Sequence, residues 1–208
     1  MLIGHKIELE VNLKQKEHLS KACGIARFVY NWILENYKKQ LEKYQETKEK
    51  ADKPDILKLK KEFNKIKRDE FPFILEVTKC ASEQPFANFQ KAMNNFFRDK
   101  KRFSFPKKKV RNDNRDRFYI SNDKFKVEGN YVFLPKIGKI KLKEDLKYKG
   151  KIMSGVISKS GNKYYISITL DISNNKEQID DFYKNKIINN PRLKDEIKVR
   201  NFREEKSK

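Results

Sequence analysis

The spacing of the hydrophobic residues changes twice along the chain, and these changes restrict the fold more than any other feature of the sequence. Ile3, Ile7 and Leu9 share one parity, which is the period-two pattern of a half-buried strand. From Asn12 onward, apolar residues recur every three or four positions, as on amphipathic helices. From Phe118 onward, short β-branched and aromatic runs alternate with turn residues. We therefore expect a strand, then helices, then further strands.

Three helices are expected between the opening strand and the later β-region. Asn12 and Gln15 have the spacing of a capping box at the start of the first helix. A polar loop that ends in Pro54 leads into the second helix. We expect Thr78 to cap the third helix and Pro85 to kink or restart it.

The β-region contains two expected hairpins, at Gly129-Asn130 and at Gly161-Asn162. Together with the opening strand, these strands are expected to close a small antiparallel barrel of the OB-like type. The helices would then form an insertion after the first strand. The expected fold class is therefore α+β.

This layout divides the chain into three expected parts. Residues 1–13 and 100–172 form the β-barrel, and residues 14–99 form the helical domain. Residues 173–208 are highly charged and thinly apolar, so we expect either a marginal helix or a disordered tail there.

The charge of the chain indicates a polyanionic partner. Lys and Arg number 50 against 29 Asp and Glu, which gives a formal net charge of +21. Self-repulsion at this charge weakens a compact state, whereas counterion release from DNA or RNA favours binding. The sequence has no apolar run of transmembrane length and no signal-peptide core, so we expect a cytoplasmic nucleic-acid-binding protein with no membrane partner.

The densest charge block spans residues 98–117, with ten basic and three acidic residues. Phe103, Phe105 and Pro106 interrupt it, and aromatic rings between cations are typical of surfaces that track a nucleic-acid backbone. The alternative is a solvated linker. The basic residues of this block are Arg98, Lys100, Lys101, Arg102, Lys107, Lys108, Lys109, Arg111, Arg115 and Arg117.

The sequence offers little for catalysis. His5 and His18 lack the spacing of a metal-binding pair, and Cys23 and Cys80 lie in apolar helical patterns that favour buried free thiols. Asp171 ends a strand, as the ligands of two-metal nucleases do, but one carboxylate does not form a metal site. We therefore expect no catalytic residue, no metal site and no cofactor in this chain.

Three segments together resemble the TnpB family, the transposon-encoded RNA-guided nucleases from which the miniature type V CRISPR effectors descend. They are CGIARFVYNWIL at 23–34, FANFQKAMNNFFRDKKRFSFPKKK at 86–109 and KVEGNYVFLPKIGKIKL at 126–142. The resemblance covers about residues 1–172. It implies a wedge β-barrel with a helical recognition insertion, which agrees with the layout expected from periodicity.

The resemblance also implies a function: binding a guide RNA scaffold and double-stranded target DNA beside a short motif, with sequence read by base pairing. Lys79 corresponds to a basic residue with which relatives contact that motif, and Glu83 stands where relatives have Gln. Tyr119, Ser121 and Asn122 lie in a stretch that approaches DNA in relatives. Further candidates for the nucleic-acid backbone, besides the basic residues of 98–117, are Arg27, Lys136 and Lys139.

The catalytic segments of the family, a GIDLG-type strand with the first Asp and later Glu, CxxC and Asp elements, have no counterpart in this sequence. We therefore expect no RuvC nuclease domain and no enzymatic activity of this chain alone. Magnesium would enter only with a nuclease lobe supplied in trans.

Three interpretations remain open. The first is an RNA-guided DNA-binding protein of the prokaryotic cytosol, associated with the nucleoid and lacking a nuclease lobe. The second is one half of a split endonuclease, completed by a separate RuvC chain or by homodimerisation. The third is a truncated transposon-encoded remnant. A general basic RNA-binding protein would share the charge, but it would not account for the three family-like segments.

Overall fold

The computed structural model describes residues 1–111 and 116–189, the last four of them by their backbone alone. The described residues form an α+β fold, as expected. Its elements in chain order are β1 (Leu2–Glu10), α1 (Leu13–Thr47), α2 (Ile56–Ile66), α3 (Cys80–Arg98), β2 (Arg117–Ser121), β3 (Lys126–Glu128), β4 (Tyr131–Leu134), β5 (Gly138–Leu142), β6 (Lys151–Ser160), β7 (Lys163–Asp171) and α4 (Lys176–Asn189).

The junction between β1 and α1 is set by local chemistry. Asn12 Oδ1 accepts a hydrogen bond from Gln15 N at 2.9 Å, and Gln15 Oε1 accepts one from Asn12 N at 3.0 Å. These reciprocal bonds satisfy two amide groups that the first helical turn leaves unpaired. The capping box expected from the sequence is therefore confirmed.

The start of α3 differs from the prediction. The cap position is Lys79, whose side chain makes no capping bond, and the prediction of a Thr78 cap is wrong. Thr78 is buried, and its carbonyl accepts from Ala81 N at 3.0 Å, so its backbone starts the helix while its side chain packs inward. Pro85 neither restarts nor interrupts α3, which runs through it without a break.

The seven strands form one antiparallel sheet in the order β2-β6-β7-β1-β5-β4-β3. Both expected hairpins are confirmed, with Gly129 and Gly161 in the left-handed region at φ of +53° and +57°. The expected closed barrel is not found: in the described part of the chain, no pairing joins the edge strands β2 and β3.

The two edge strands β2 and β3 are joined by a short link that ends in a buried phenylalanine. Only residues 122–125 link the end of β2 to the start of β3, and a link of this length spans at most about 18 Å. Because β2 and β3 are the two edge strands, the sheet must curl to bring these ends so close. Phe125, the last residue of this link, is buried against Gly155 of β6, where an added Cβ would lie 2.9 Å from Phe125 Cζ. The ring therefore packs over an interior strand, because β6 lies between β2 and β7, and the other edge strand, β3, offers only three residues for pairing.

One hydrophobic core joins the sheet to the helices. Its cluster of buried residues includes Ile7 of β1, Val29 of α1, Phe89 of α3 and Ile166 of β7. The helices are therefore packed onto the sheet, which holds the surfaces between them at fixed positions.

The segment after β7 is helical as far as it is described. In α4, Ile179 and Phe182 pack against the core, and Gln178 Oε1 accepts from Lys149 N at 2.8 Å. Among the described helices, none combines the length and apolar content that a membrane span needs.

Candidate nucleic-acid interface

A cleft of about 710 Å³ lies between α1, α3 and β2. Cationic, polar and aromatic side chains dominate its walls, and Asp116 is the one carboxylate among the described lining residues. The cationic and aromatic lining residues are Arg27, Tyr30, Lys91, Lys108, Lys109, Arg117, Phe118 and Tyr119. This composition suits a polyanion with exposed ring faces.

The basic segment that borders the cleft is fixed to α1 by Asn31. Asn31 Nδ2 donates to Lys109 O, and Asn31 Oδ1 accepts from Lys109 N, both at 2.8 Å. The Lys109 ammonium lies 3.8 Å from the centroid of the Tyr30 ring. Loss of hydration in this position lowers the pKa of the Lys109 ammonium, and the charge of Arg117 lowers it further.

Arg27 is engaged within the protein. Its Nη1 lies 2.7 Å from both carboxylate oxygens of Asp116, and the two side chains are only 22% and 14% exposed. Charge-assisted bonds of this kind hold the residue before β2 against α1. Arg27 therefore acts on the cleft by positioning β2.

Cys23 lies beside this ion pair. Burial raises the pKa of its thiol to about 12, and the negative charge of Asp116 contributes to the rise. Cys80 is buried as well, so the expected burial of both cysteines is confirmed.

The five residues expected to read target DNA are Lys79, Glu83, Tyr119, Ser121 and Asn122. The structure brings the two elements that carry them together, because Cys80 Sγ lies 3.5 Å from Ser121 Oγ. The Lys79 ammonium forms a 3.1 Å ion pair with the Glu83 carboxylate one turn along α3. Lys79 and Asn122 are exposed to solvent, whereas Glu83, Tyr119 and Ser121 are half-buried.

The chain forms a tight turn directly after α3. Asp99 Oδ1 accepts from Lys101 N and Arg102 N, both at 3.1 Å, and Asp99 O accepts from Phe103 N at 2.9 Å. These bonds resemble those of a helix cap and fix a compact loop. We call residues 96–105 the aromatic turn.

Cations and rings contact one another throughout the aromatic turn. The guanidinium groups of Arg98 and Arg102 lie 5.9 and 5.6 Å from the centroid of Phe103. Lys100 Nζ lies 5.7 Å from the centroid of Phe96. The basic block therefore has a defined structure here, in contrast to a solvated linker.

Other residues of the predicted backbone set lie away from the cleft or outside the description. Lys136 Nζ donates to the carbonyl of Leu75, and Lys139 Nζ lies 3.7 Å from the centroid of Tyr131, beside the start of α1. Lys107 and Arg111 are exposed on the segment that follows the aromatic turn. Arg115 lies outside the described residues.

The sequence interpretation missed the basic face of α2. Lys67, in the turn after that helix, has its ammonium pKa lowered by partial burial, and nearby positive charges, including those of Lys79 and Arg68, add to the effect. Glu83 opposes it. Lysines recur in α2 on the side opposite its apolar stripe, and this pattern could have revealed that the basic surface around Lys79 extends to α2.

The remaining polar candidates have structural partners. Asp171 accepts from Ser173 N at 3.0 Å and from the Met1 ammonium at 3.2 Å, and the hydrogen bonds from Ser173 are the main reason its pKa falls to about 2. His5 Nδ1 accepts from Lys147 N at 3.3 Å. Within 1–111 and 116–189, no group of three or more His, Cys, Asp or Glu residues is arranged to hold a metal ion.

Residues 1–46 match the family HTH_OrfB_IS605, described as a helix-turn-helix domain. In this structure those residues form β1 and most of the single helix α1, so the matched region contains no turn between two helices. The chain is also 34% identical over 86 residues to a protein of Escherichia coli (strain K12) that carries the provisional name RNA-guided DNA endonuclease InsQ. That alignment covers 41% of this chain and 21% of InsQ.

Together with the charge of the chain, these matches support a nucleic-acid-binding, transposon-associated protein. The two matches further support a TnpB-family N-terminal region, which agrees with the resemblance seen in the sequence. The aligned part of InsQ is about a fifth of its length.

Proposed function

We propose that this chain binds a guide RNA scaffold and target DNA beside a short adjacent motif, at nucleoid DNA in the prokaryotic cytosol. The observation that carries the proposal is the 3.5 Å contact between Cys80 and Ser121, which joins the start of α3 to the end of β2. This contact brings together the two segments that carry the five proposed DNA-reading residues, and Cys80 and Tyr119 from these segments line the cationic cleft, which supports the proposal.

Each part of this surface has a different task in the proposal. Lys108 and Arg117 at the cleft contact phosphates, which set affinity and orientation but carry no sequence information. Base pairing between guide and target reads the long sequence. The protein reads only the short motif, through Lys79, Glu83 and Asn122.

Glu83 defines the motif that we propose. A Gln side chain pairs bidentately with adenine, whereas a carboxylate accepts from the amino group of cytosine. The ion pair with Lys79 holds the Glu83 carboxylate beside the cation that would contact the same base pair or its phosphate. The proposed preference is therefore for a cytosine where relatives with Gln read another base.

Purification from the native host, with sequencing of bound RNA, tests the proposal. Mobility shifts should then show DNA binding that follows the guide sequence and weakens steeply with salt, with a logarithmic slope of about −0.9 for each duplex phosphate neutralised. DNA binding that is indifferent to the guide sequence would refute it.

A second candidate is favoured by the name of InsQ. In it, this chain is the nucleic-acid-binding part of an RNA-guided endonuclease, and a RuvC nuclease part with its magnesium is supplied by a separate chain or a homodimer partner. Metal-dependent cleavage of guided target DNA after addition of the polypeptide encoded by a neighbouring gene would support it. Absence of cleavage with each neighbouring polypeptide would argue against it.

A further inference from the structure

The aromatic turn contains four phenylalanines, and their surroundings differ. Phe103 lies near two guanidinium groups, as described above. Phe96 lies near Lys100, and its ring centroid is 5.4 Å from that of Phe105 in a T-shaped arrangement. Phe97, at the end of α3, contacts the Phe96 ring at 5.4 Å and is 59% exposed. Phe97 is therefore the ring of this cluster with a large surface in water.

The charges that follow Phe97 in the chain indicate the kind of partner that would bind this exposed ring. Arg98, Lys100, Lys101 and Arg102 are all exposed, and none of them forms an ion pair with a described residue. Arg98 donates a 3.3 Å hydrogen bond to Asn95 Oδ1, and the carboxylate of Asp99 accepts from backbone amides of the turn. An exposed ring, with four cations that follow it closely in the chain and lack an ion pair, suits a ligand with a flat aromatic face and adjacent negative charge.

We propose that Phe97 is a stacking site for a nucleobase of single-stranded nucleic acid, with Arg98 and Arg102 contacting the neighbouring phosphates. A base can stack on an exposed ring regardless of its identity, whereas the bases of an intact duplex already stack on one another. The inference rests on the proposed function to the extent that it takes nucleic acid as the partner.

The geometry of the turn supports this role. The bonds to Asp99 fix the loop, and the Phe96 ring packs against Phe97, so the site needs little ordering when a ligand binds. A preformed platform of this kind retains most of the stacking free energy. The strand would lie across the end of α3 and continue towards Lys107.

The test uses the full chain and short labelled oligonucleotides that carry 2-aminopurine: single-stranded DNA, single-stranded RNA and a DNA duplex. In Phe97→Ala, affinity for the single strands should fall roughly 5- to 150-fold, the range that corresponds to one lost base–aromatic stack, while duplex affinity stays unchanged. Phe97→Leu should behave like Phe97→Ala, and Phe97→Trp should retain both the affinity and the stacking-dependent change in 2-aminopurine fluorescence.

Leu2→Ala is the matched control, because Leu2 is an exposed apolar side chain, 62% accessible, on β1. It should leave all three affinities unchanged. The DNA and RNA arms show whether the base belongs to a target strand or to the guide. Unchanged single-strand affinity in Phe97→Ala, or an equal loss for single strands and duplex, would overturn the inference.

The two proposals fail separately. If guided DNA binding is absent but Phe97→Ala still loses single-strand affinity selectively, the proposed function is refuted and the stacking site stands. If guided binding is present and Phe97→Ala matches the wild-type chain in every arm, only the stacking site is refuted.

Discussion

Asn31 and Lys109 are joined by two hydrogen bonds of 2.8 Å, in which the side-chain amide of one residue pairs with both backbone groups of the other. The arrangement copies the pairing of two strands, but one partner is a helical side chain. It fixes the position along α1 at which the basic segment 107–109 crosses the helix.

Asn31→Ala should release this segment. Loss of two hydrogen bonds is expected to lower the free energy of unfolding by about 1–2 kcal/mol and to weaken nucleic-acid binding, because the lysines are no longer held in register. Denaturant unfolding and mobility shifts measure the two effects. Asn36→Ala is the control, since Asn36 only donates to Trp32 O on the same helix, at 2.8 Å. If both variants bind nucleic acid equally well, the hydrogen bonds between Asn31 and Lys109 have no role in binding.

Arg27→Ala should destabilise the fold more than any exposed arginine variant. It leaves the Asp116 carboxylate, 14% exposed, without its cation, and breaking such a pair typically lowers the free energy of unfolding by about 3–5 kcal/mol. Urea unfolding checks this value. Arg98→Ala, at an exposed site, should change stability by less than about 0.5 kcal/mol. Equal stability of the two variants would show that the ion pair does not anchor β2.

Gly155→Ala should destabilise the sheet through Phe125. The added methyl would lie 2.9 Å from Phe125 Cζ, and overpacking of this kind lowers stability by about 1–3 kcal/mol. A second change, Phe125→Leu, should relieve part of the effect in a double-mutant cycle. Gly4→Ala is the control, because nothing lies within 4 Å of a Cβ at that strand position. Additive effects of the two changes would contradict the contact.

Glu83→Gln should change the preferred motif. A Gln amide pairs with adenine, whereas the carboxylate accepts from cytosine, and each correct pair discriminates by about 1–3 kcal/mol. Binding to a DNA library randomised beside the guide-matched target measures the preference. Glu76→Gln, which alters an exposed carboxylate paired with Lys21, is the control. The same preferred motif in the wild type and both variants would exclude a reading role for Glu83.

Cys23 should make stability fall at alkaline pH. Its thiol has a pKa of about 12 in the fold against an ordinary value of 9.0, so the unfolded chain loses this proton first as pH rises. The contribution is fully present below pH 9 and is lost progressively between about pH 9 and pH 12. Unfolding of Cys23→Ala over the same range should show a smaller pH dependence. An identical pH profile for both chains would contradict the shift.

Features that depend on neighbouring residues could be predicted from the sequence. The Asn12–Gln15 capping box and the glycine turns at Gly129 and Gly161 follow from chemistry within a few positions, and all are present. Thr78 has the residue type of a cap, but burial of its side chain prevented that role. A local sequence pattern cannot reveal whether a side chain will be buried against an apolar surface from another part of the chain.

Features that depend on distant residues were not predictable in this way. The partner of Asn31 lies 78 positions away, and Phe125 packs against Gly155 of β6, 30 positions further along the chain. The basic face of α2 had a visible charge pattern, but its relation to Lys79 depends on how α2 packs beside α3. The candidate site residues on α3 and β2 lie close together because these elements pack against each other.

The position of β1 has a consequence for synthesis. β1 precedes the other six strands of the sheet in the chain and lies between β7 and β5, and its Leu2 pairs with Asp171, at the opposite end of the sheet-forming sequence. Its main neighbour does not exist until nearly all of this sequence has been translated, and such distant pairings form slowly. The sheet is therefore complete only after β7 has left the exit tunnel, and the cationic cleft, whose strand β2 is held by β6, should form late in the synthesis of this region.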